Sequence, residues 1–210
     1  MQAQEIQSAL TLIRDAVRNG NNVQILFYTS EYLCSTNRYL AIYGKTRTFV
    51  ARNLTISTLL SKDPDTHFKA VPIRDDSGLM ALSTTSARPI EELFWQLAYR
   101  MSASGILLPG CDSHDVVYLL QWPNFTRINH SPAMLRMAAL FSARPTPLDV
   151  AAKVLDVPRA EVNCFYSAAR YAGYADKLSR SNTVNVKNVV EDQERSGIVR
   201  ALMQKLRKSQ

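Results

Sequence analysis

The stretch from Leu148 to Ser167, LDVAAKVLDVPRAEVNCFYS, decides how this chain of 210 residues is read. Counted from Leu148, its apolar or small residues Ala151, Ala152, Leu155, Val157, Val162 and Phe165 fall at positions 4, 5, 8, 10, 15 and 18. These are the places where two short helices must interlock when they cross steeply at a tight turn. A small residue at position 5 admits the second helix, and the branched residues at 10 and 15 fill the wedge between the two.

Prolines mark the boundaries. Ser131-Pro132, Thr146-Pro147 and Val157-Pro158 each set a proline where a helix begins, since a missing N–H costs nothing in a first turn. Ser131 and Thr146 add a capping hydroxyl just before it. The spacing predicts helices over Ala133–Ala143, Leu148–Leu155 and Arg159–Ala172, with Gly173 ending the last in a left-handed turn. Beyond it, Tyr174–Arg180 and Thr183–Val190 read as the two strands of a β-ribbon turning at Ser181-Asn182. The competing structural reading is a plain helical bundle.

Upstream, the periods change. Ile6, Leu10, Ile13 and Val17 recur at helical steps and stop at Asn19-Gly20-Asn21-Asn22. Val23–Tyr28 reads as a buried strand, Thr48–Ala51 as a second after the turn at Gly44-Lys45-Thr46, and Asn53–Leu60 as a short helix. His67–Ile73 and Leu79–Leu82 flank a hairpin signal at Asp75-Asp76-Ser77-Gly78. Ile90, Leu93, Phe94, Leu97, Ala98 and Met101 form one apolar stripe, the main core helix of this half. Asp115–Gln121 follows as a strand that Trp122-Pro123 stops. The order predicts an α/β or α+β domain over residues 1–122, a tri-helical domain over 123–190 and a basic amphipathic helix within 191–210, built on Ile198, Leu202 and Leu206.

Charge divides along the same line. Residues 1–120 hold 11 Lys/Arg and 11 Asp/Glu, while residues 121–210 hold 14 and 7, so the net charge of +7 belongs to the second part. That asymmetry predicts an anionic partner there, nucleic acid first and an anionic membrane surface second. No apolar run approaches the ~18 residues that a membrane span needs, and the start lacks a secretory pattern. Cys34, Cys111 and Cys164 are odd in number and far apart, which predicts no disulfide framework, no zinc site and a reducing, cytoplasmic setting.

Catalytic constellations are poor. Gly44-Lys45-Thr46 lacks the earlier glycine of a phosphate-binding loop, since Tyr39 occupies that place. Cys111-Asp112-Ser113-His114-Asp115 packs reactive residue types into neighbouring positions that cannot converge on one substrate atom, and reads as a polar loop. Glu91-Glu92 complements the N–H groups of a first helical turn. His67 and His130 are isolated. The reading is non-enzymatic, without cofactor or metal.

Leu148–Phe165, with Ala168-Ala169 and Gly173-Tyr174 after it, resembles the winged-helix, or helix-turn-helix, superfamily over about residues 125–190. Asp156 departs from its common pattern, in which glycine opens the turn, and so does Pro158; Asp156 tolerates turn geometry. The resemblance implies a regulatory role, commonly transcriptional, in a bacterial-type regulator, and a homodimer by analogy with symmetric readers. It implies that the start of the third helix faces the major groove, with Arg159, Asn163 and Ser167 reading bases. Arg170, Lys177, Arg180 and Lys187 would then position the backbone of double-stranded DNA. Asp149, Asp156 and Glu161 offset the motif's own cations, and Tyr166, Tyr171 and Tyr174 make the helix aromatic. These features suit the alternative, a protein–protein adaptor in a signalling or surface-machinery pathway.

Overall fold

The structure, a computed structural model, describes residues 2–29, 39–54, 66–73 and 87–178. The expected helix at Asn53–Leu60, the Asp75–Gly78 turn, the second ribbon strand and the C-terminal amphipathic helix lie outside the described residues, as do Cys34, Arg180 and Lys187.

Helix α1 (Gln2–Asn19) leads into β1 (Asn22–Thr29), β2 (Tyr39–Tyr43), β3 (Thr48–Arg52), β4 (Thr66–Pro72) and β5 (Arg88–Pro89). These strands form one antiparallel sheet in the order β4-β1-β2-β3-β5. Its middle strand β2 alternates faces: Leu40 and Ile42 enter the main core, whereas Tyr39, Ala41 and Tyr43 form a second buried cluster on the other side. The β2–β3 hairpin is tight because Gly44 lies against α1. A Cβ there would stand 2.5 Å from the carbonyl oxygens of Ala16 and Asn21.

Helix α2 (Ile90–Met101) follows directly from β5. After a segment without regular structure come β6 (Val116–Leu119), α3 (Pro132–Ala143), β7 (Thr146–Pro147), α4 (Leu148–Leu155), α5 (Arg159–Tyr171) and β8 (Ala175–Lys177). The interlocking residues do what their spacing requires: Ala151 and Val162 are fully buried, Val157 nearly so. Asp156 ends α4 in the left-handed region (φ 51°, ψ 55°), the geometry a glycine would take without strain. Ser131 caps α3, its hydroxyl accepting from Met134 N–H. Thr146 makes no cap; its hydroxyl donates to the Arg144 carbonyl, because Pro147, not Thr146, immediately precedes α4.

Two sets of contacts cross the boundary expected after residue 122. A boundary after residue 122 would cut the second sheet, whose order is β7-β6-β8: β6, from before that boundary, is its middle strand, antiparallel to both neighbours. The slot beside β8 along that edge is thus filled by a strand that precedes all three helices. Helix α2, expected as the main core helix of the N-terminal half, also packs its Trp95 edge-on against Phe165 of α5 at 5.5 Å and beside Tyr174 at 6.0 Å. One apolar cluster therefore runs from Ile13 through α2 to Ala175. The Glu92 carboxylate, 1% exposed, ties the halves as well, through Arg88 of β5 (2.8 Å) and Arg127 ahead of α3 (3.5 Å).

Candidate functional site

Helix α5 carries the predicted reading residues, and its amphipathic pattern has two buried sides instead of one. Val162, Phe165 and Ala169 enter the core. Arg159, Asn163, Ser167 and Arg170 share the side that the sequence assigned to DNA, one or two turns apart. Residues 102–115, between α2 and β6, run along that side as a strap.

The strap is bonded at nearly every turn. Cys164 donates its thiol to the Ser102 carbonyl. Asn163 Nδ2 donates to the Gly105 carbonyl at 2.9 Å while its Oδ1 accepts from Arg159 Nε at 2.9 Å, so both ends of the amide are engaged. Ser167 Oγ accepts from Leu108 N–H at 3.4 Å, Tyr171 donates to the Pro109 carbonyl at 3.1 Å, and Arg159 Nη2 donates to the Ser113 carbonyl at 2.8 Å. Gly105 lets the strap come close, with φ +81° and room for no Cβ: one would lie 2.6 Å from Ala160 Cβ.

Carboxylates meet the cations. Arg159 pairs with Asp149 of α4, Arg170 with Asp176 at 3.0 Å, and Lys177 with Asp115 at 3.2 Å. Asp115 Oδ2 also accepts from the Tyr166 hydroxyl at 2.6 Å and from Asp112 N–H at 2.8 Å. Burial lowers the Arg159 pKa from its ordinary value. Burial first, then the bond to Asp115, pushes the Tyr166 phenol far above the usual tyrosine range. Tyr174 is pushed up to about 12 by burial and by the negative charges of Glu91 and Glu92. Burial likewise raises the Cys111 thiol, which leaves it a poor nucleophile at neutral pH.

The predicted base readers are therefore placed as follows. Ser167 is fully buried, and its hydroxyl is bonded to the strap. Asn163 and Arg159 are partly buried; Asn163 bonds to Gly105 and Arg159, and Arg159 bonds through Nε and Nη2 to Asn163 and Ser113, while its Nη1 has only the ion pair with Asp149. Arg170 and Lys177 are partly exposed but paired. The cause is the strap, which took no part in the sequence reading beyond a polar loop at 111–115. Its visible signals were Gly105 and the Pro109-Gly110 turn, together with polar residues on the side of α5 opposite its apolar stripe.

Among the described residues no group of His, Cys, Asp and Glu is arranged to hold a metal, and Cys111 and Cys164 are free thiols. No described helix is long and apolar enough to cross a membrane. Comparison with protein-family models, with curated proteins and with solved structures returns no match.

Proposed function

We propose that this chain is a non-enzymatic adaptor of the winged-helix type, acting in the cytoplasm through protein contacts, and that helix α5 is not a DNA reader. The observation that carries this reading is the strap: the side of α5 that would enter a major groove is bonded to residues 102–115 along its length. Sequence readout needs donors and acceptors aimed at base edges, whereas the Asn163 amide and the Ser167 hydroxyl are bonded to groups of the same chain. Affinity for DNA comes mostly from unpaired cations that displace counterions, whereas Arg159, Arg170 and Lys177 each face a carboxylate. Releasing the strap would sever several hydrogen bonds and expose buried Leu108, too great a cost for weak phosphate contacts to offset.

The test is duplex binding by the full chain across a salt titration. The expected result is no sequence preference, with any retention abolished by neutralising Arg200, Lys205, Arg207 and Lys208 in the C-terminal segment. Sequence-selective binding that weakens in Asn163→Ala or Ser167→Ala would overturn the adaptor reading and restore the transcriptional one.

A further inference from the structure

Helix α4 keeps an apolar edge in solvent. Val150 and Val154 are 42% and 56% exposed and stand one turn apart on it. The core takes Leu148 and Ala151 from the same helix, so the two valines are turned away from it. Single exposed apolar residues are ordinary, but a pair on one helix row offers a ridge that another segment can cover.

Sheet register shows where the remainder of the chain sets out. Val116 of β6 lies opposite Pro147 of β7, and its carbonyl accepts from Leu178 N–H at 2.9 Å on the other side. Leu178 and Pro147 are therefore two strand spacings apart, about 10 Å, and Pro147 immediately precedes α4. Residues 179–210 thus start beside the N-terminal end of the helix that bears the exposed pair. Ile198 comes 20 residues after Leu178, and 20 residues reach about 65 Å when extended, several times the distance to Val154 on a helix about 12 Å long.

The sequence of that segment matches the edge. Ile198, Leu202 and Leu206 recur at four-residue steps, as Val150 and Val154 do, and rows at that step interdigitate when helices pack. The exposed charges of α4 and its cap are Asp149, Lys153 and Asp156, whereas residues 197–208 carry Arg200, Lys205, Arg207 and Lys208 and no acid. Leu120 and Trp122, also exposed, lie past the opposite end of β6 from Leu178, and Trp122 rests edge-on against Phe125.

We propose that the C-terminal segment docks on α4 of its own chain, with the Ile198–Leu202–Leu206 stripe covering Val150 and Val154. A protein partner that uses this edge of α4 must first displace the segment. The contact does not involve α5, so this inference and the adaptor reading can fail separately.

The full chain with a benzophenone amino acid in place of Leu202 tests it, by irradiation, digestion and mass spectrometry. Crosslinks to residues 148–156 of the same chain are expected, at a yield independent of protein concentration. Trypsin gives a second readout, since cleavage after Arg200 tracks the undocked population. Val154→Asp and Leu206→Asp are each expected to speed that cleavage about tenfold, the loss that follows when an apolar side chain can no longer be covered. Leu206→Asp changes no residue of the three-helix segment, so faster cleavage in that variant cannot come from a misfolded α4. Crosslinks that miss α4, crosslinks that join two chains with a yield rising with concentration, or cleavage after Arg200 indifferent to both variants overturns the proposal.

Discussion

Replacing Gly105 by alanine separates two costs that usually come together. Gly105 and Gly110 both lie in the strap at nearly the same positive φ, +81° and +89°. Alanine at either position therefore pays a similar backbone penalty, about 1–2 kcal/mol. Their surroundings differ. A Cβ on Gly110 meets nothing within 4 Å, whereas one on Gly105 stands 2.6 Å from Ala160 Cβ and 2.9 Å from Ala160 Cα. Those Ala160 atoms belong to the first turn of α5 and have no rotamer in which to escape, so the strap itself must lift. Forcing an extra carbon into a packed contact costs about 1–3 kcal/mol, and lifting also stretches the Asn163–Gly105 bond. Gly105→Ala is thus expected to destabilise the chain by about 2–5 kcal/mol and Gly110→Ala by about 1–2 kcal/mol. Urea denaturation followed by tryptophan fluorescence reads both variants, with Trp95 reporting from the α2–α5 contact. If the two variants are equally stable, or Gly110→Ala is the worse, the strap does not press on α5 as described.

Asp156→Gly should stabilise the chain by about 0.5–1 kcal/mol in the same denaturation assay, since glycine adopts the left-handed turn without strain. Glu92→Gln should destabilise it by about 1–3 kcal/mol, less than for a fully buried pair because both arginines are about half exposed; thermal unfolding reads the loss, and an unchanged midpoint would refute the tie between the halves. The phenols of Tyr166 and Tyr174 have folded pKa values raised above the ordinary 10, so the unfolded chain loses their protons first as pH rises. Their contribution is whole below pH 10 and for Tyr174 is lost between 10 and about 12, at about 1.4 kcal/mol per pH unit per phenol. Denaturation midpoints measured across that range should fall with that slope, and Tyr166→Phe should reduce it.

Much of the local structure was legible because it depends on near neighbours. The three C-terminal helices follow from proline placement and from the period of Ala151, Leu155, Val162 and Phe165, and they occur within a residue or so of the expected ends. The apolar stripe from Ile90 to Met101 likewise gives α2 in full. What was hidden depends on partners distant in the chain. The stripe on α2 says that it packs, not that Trp95 meets Phe165. Nothing local in Val116–Leu119 indicates that it pairs with residues on both sides of α4 and α5. The bonds that Arg159, Asn163 and Ser167 make to the strap were hidden for a related reason. Polar residues on one side of a helix look the same whether water, a nucleic acid or a backbone segment of the same chain satisfies them. The choice among these was made by the carbonyls of Gly105 and Ser113 and the amide of Leu108.

The middle place of β6 in the second sheet has a consequence for the order in which the chain is built. Val117 waits for Lys177, and the whole three-helix segment must emerge and fold back before that pair can form. During synthesis the helices can collapse early from local contacts, while the ribbon they carry stays open until its last strand arrives. An expression boundary drawn just ahead of α3 would leave β7 and β8 with an empty lane between them, and a fragment meant to contain the C-terminal part should begin no later than α2.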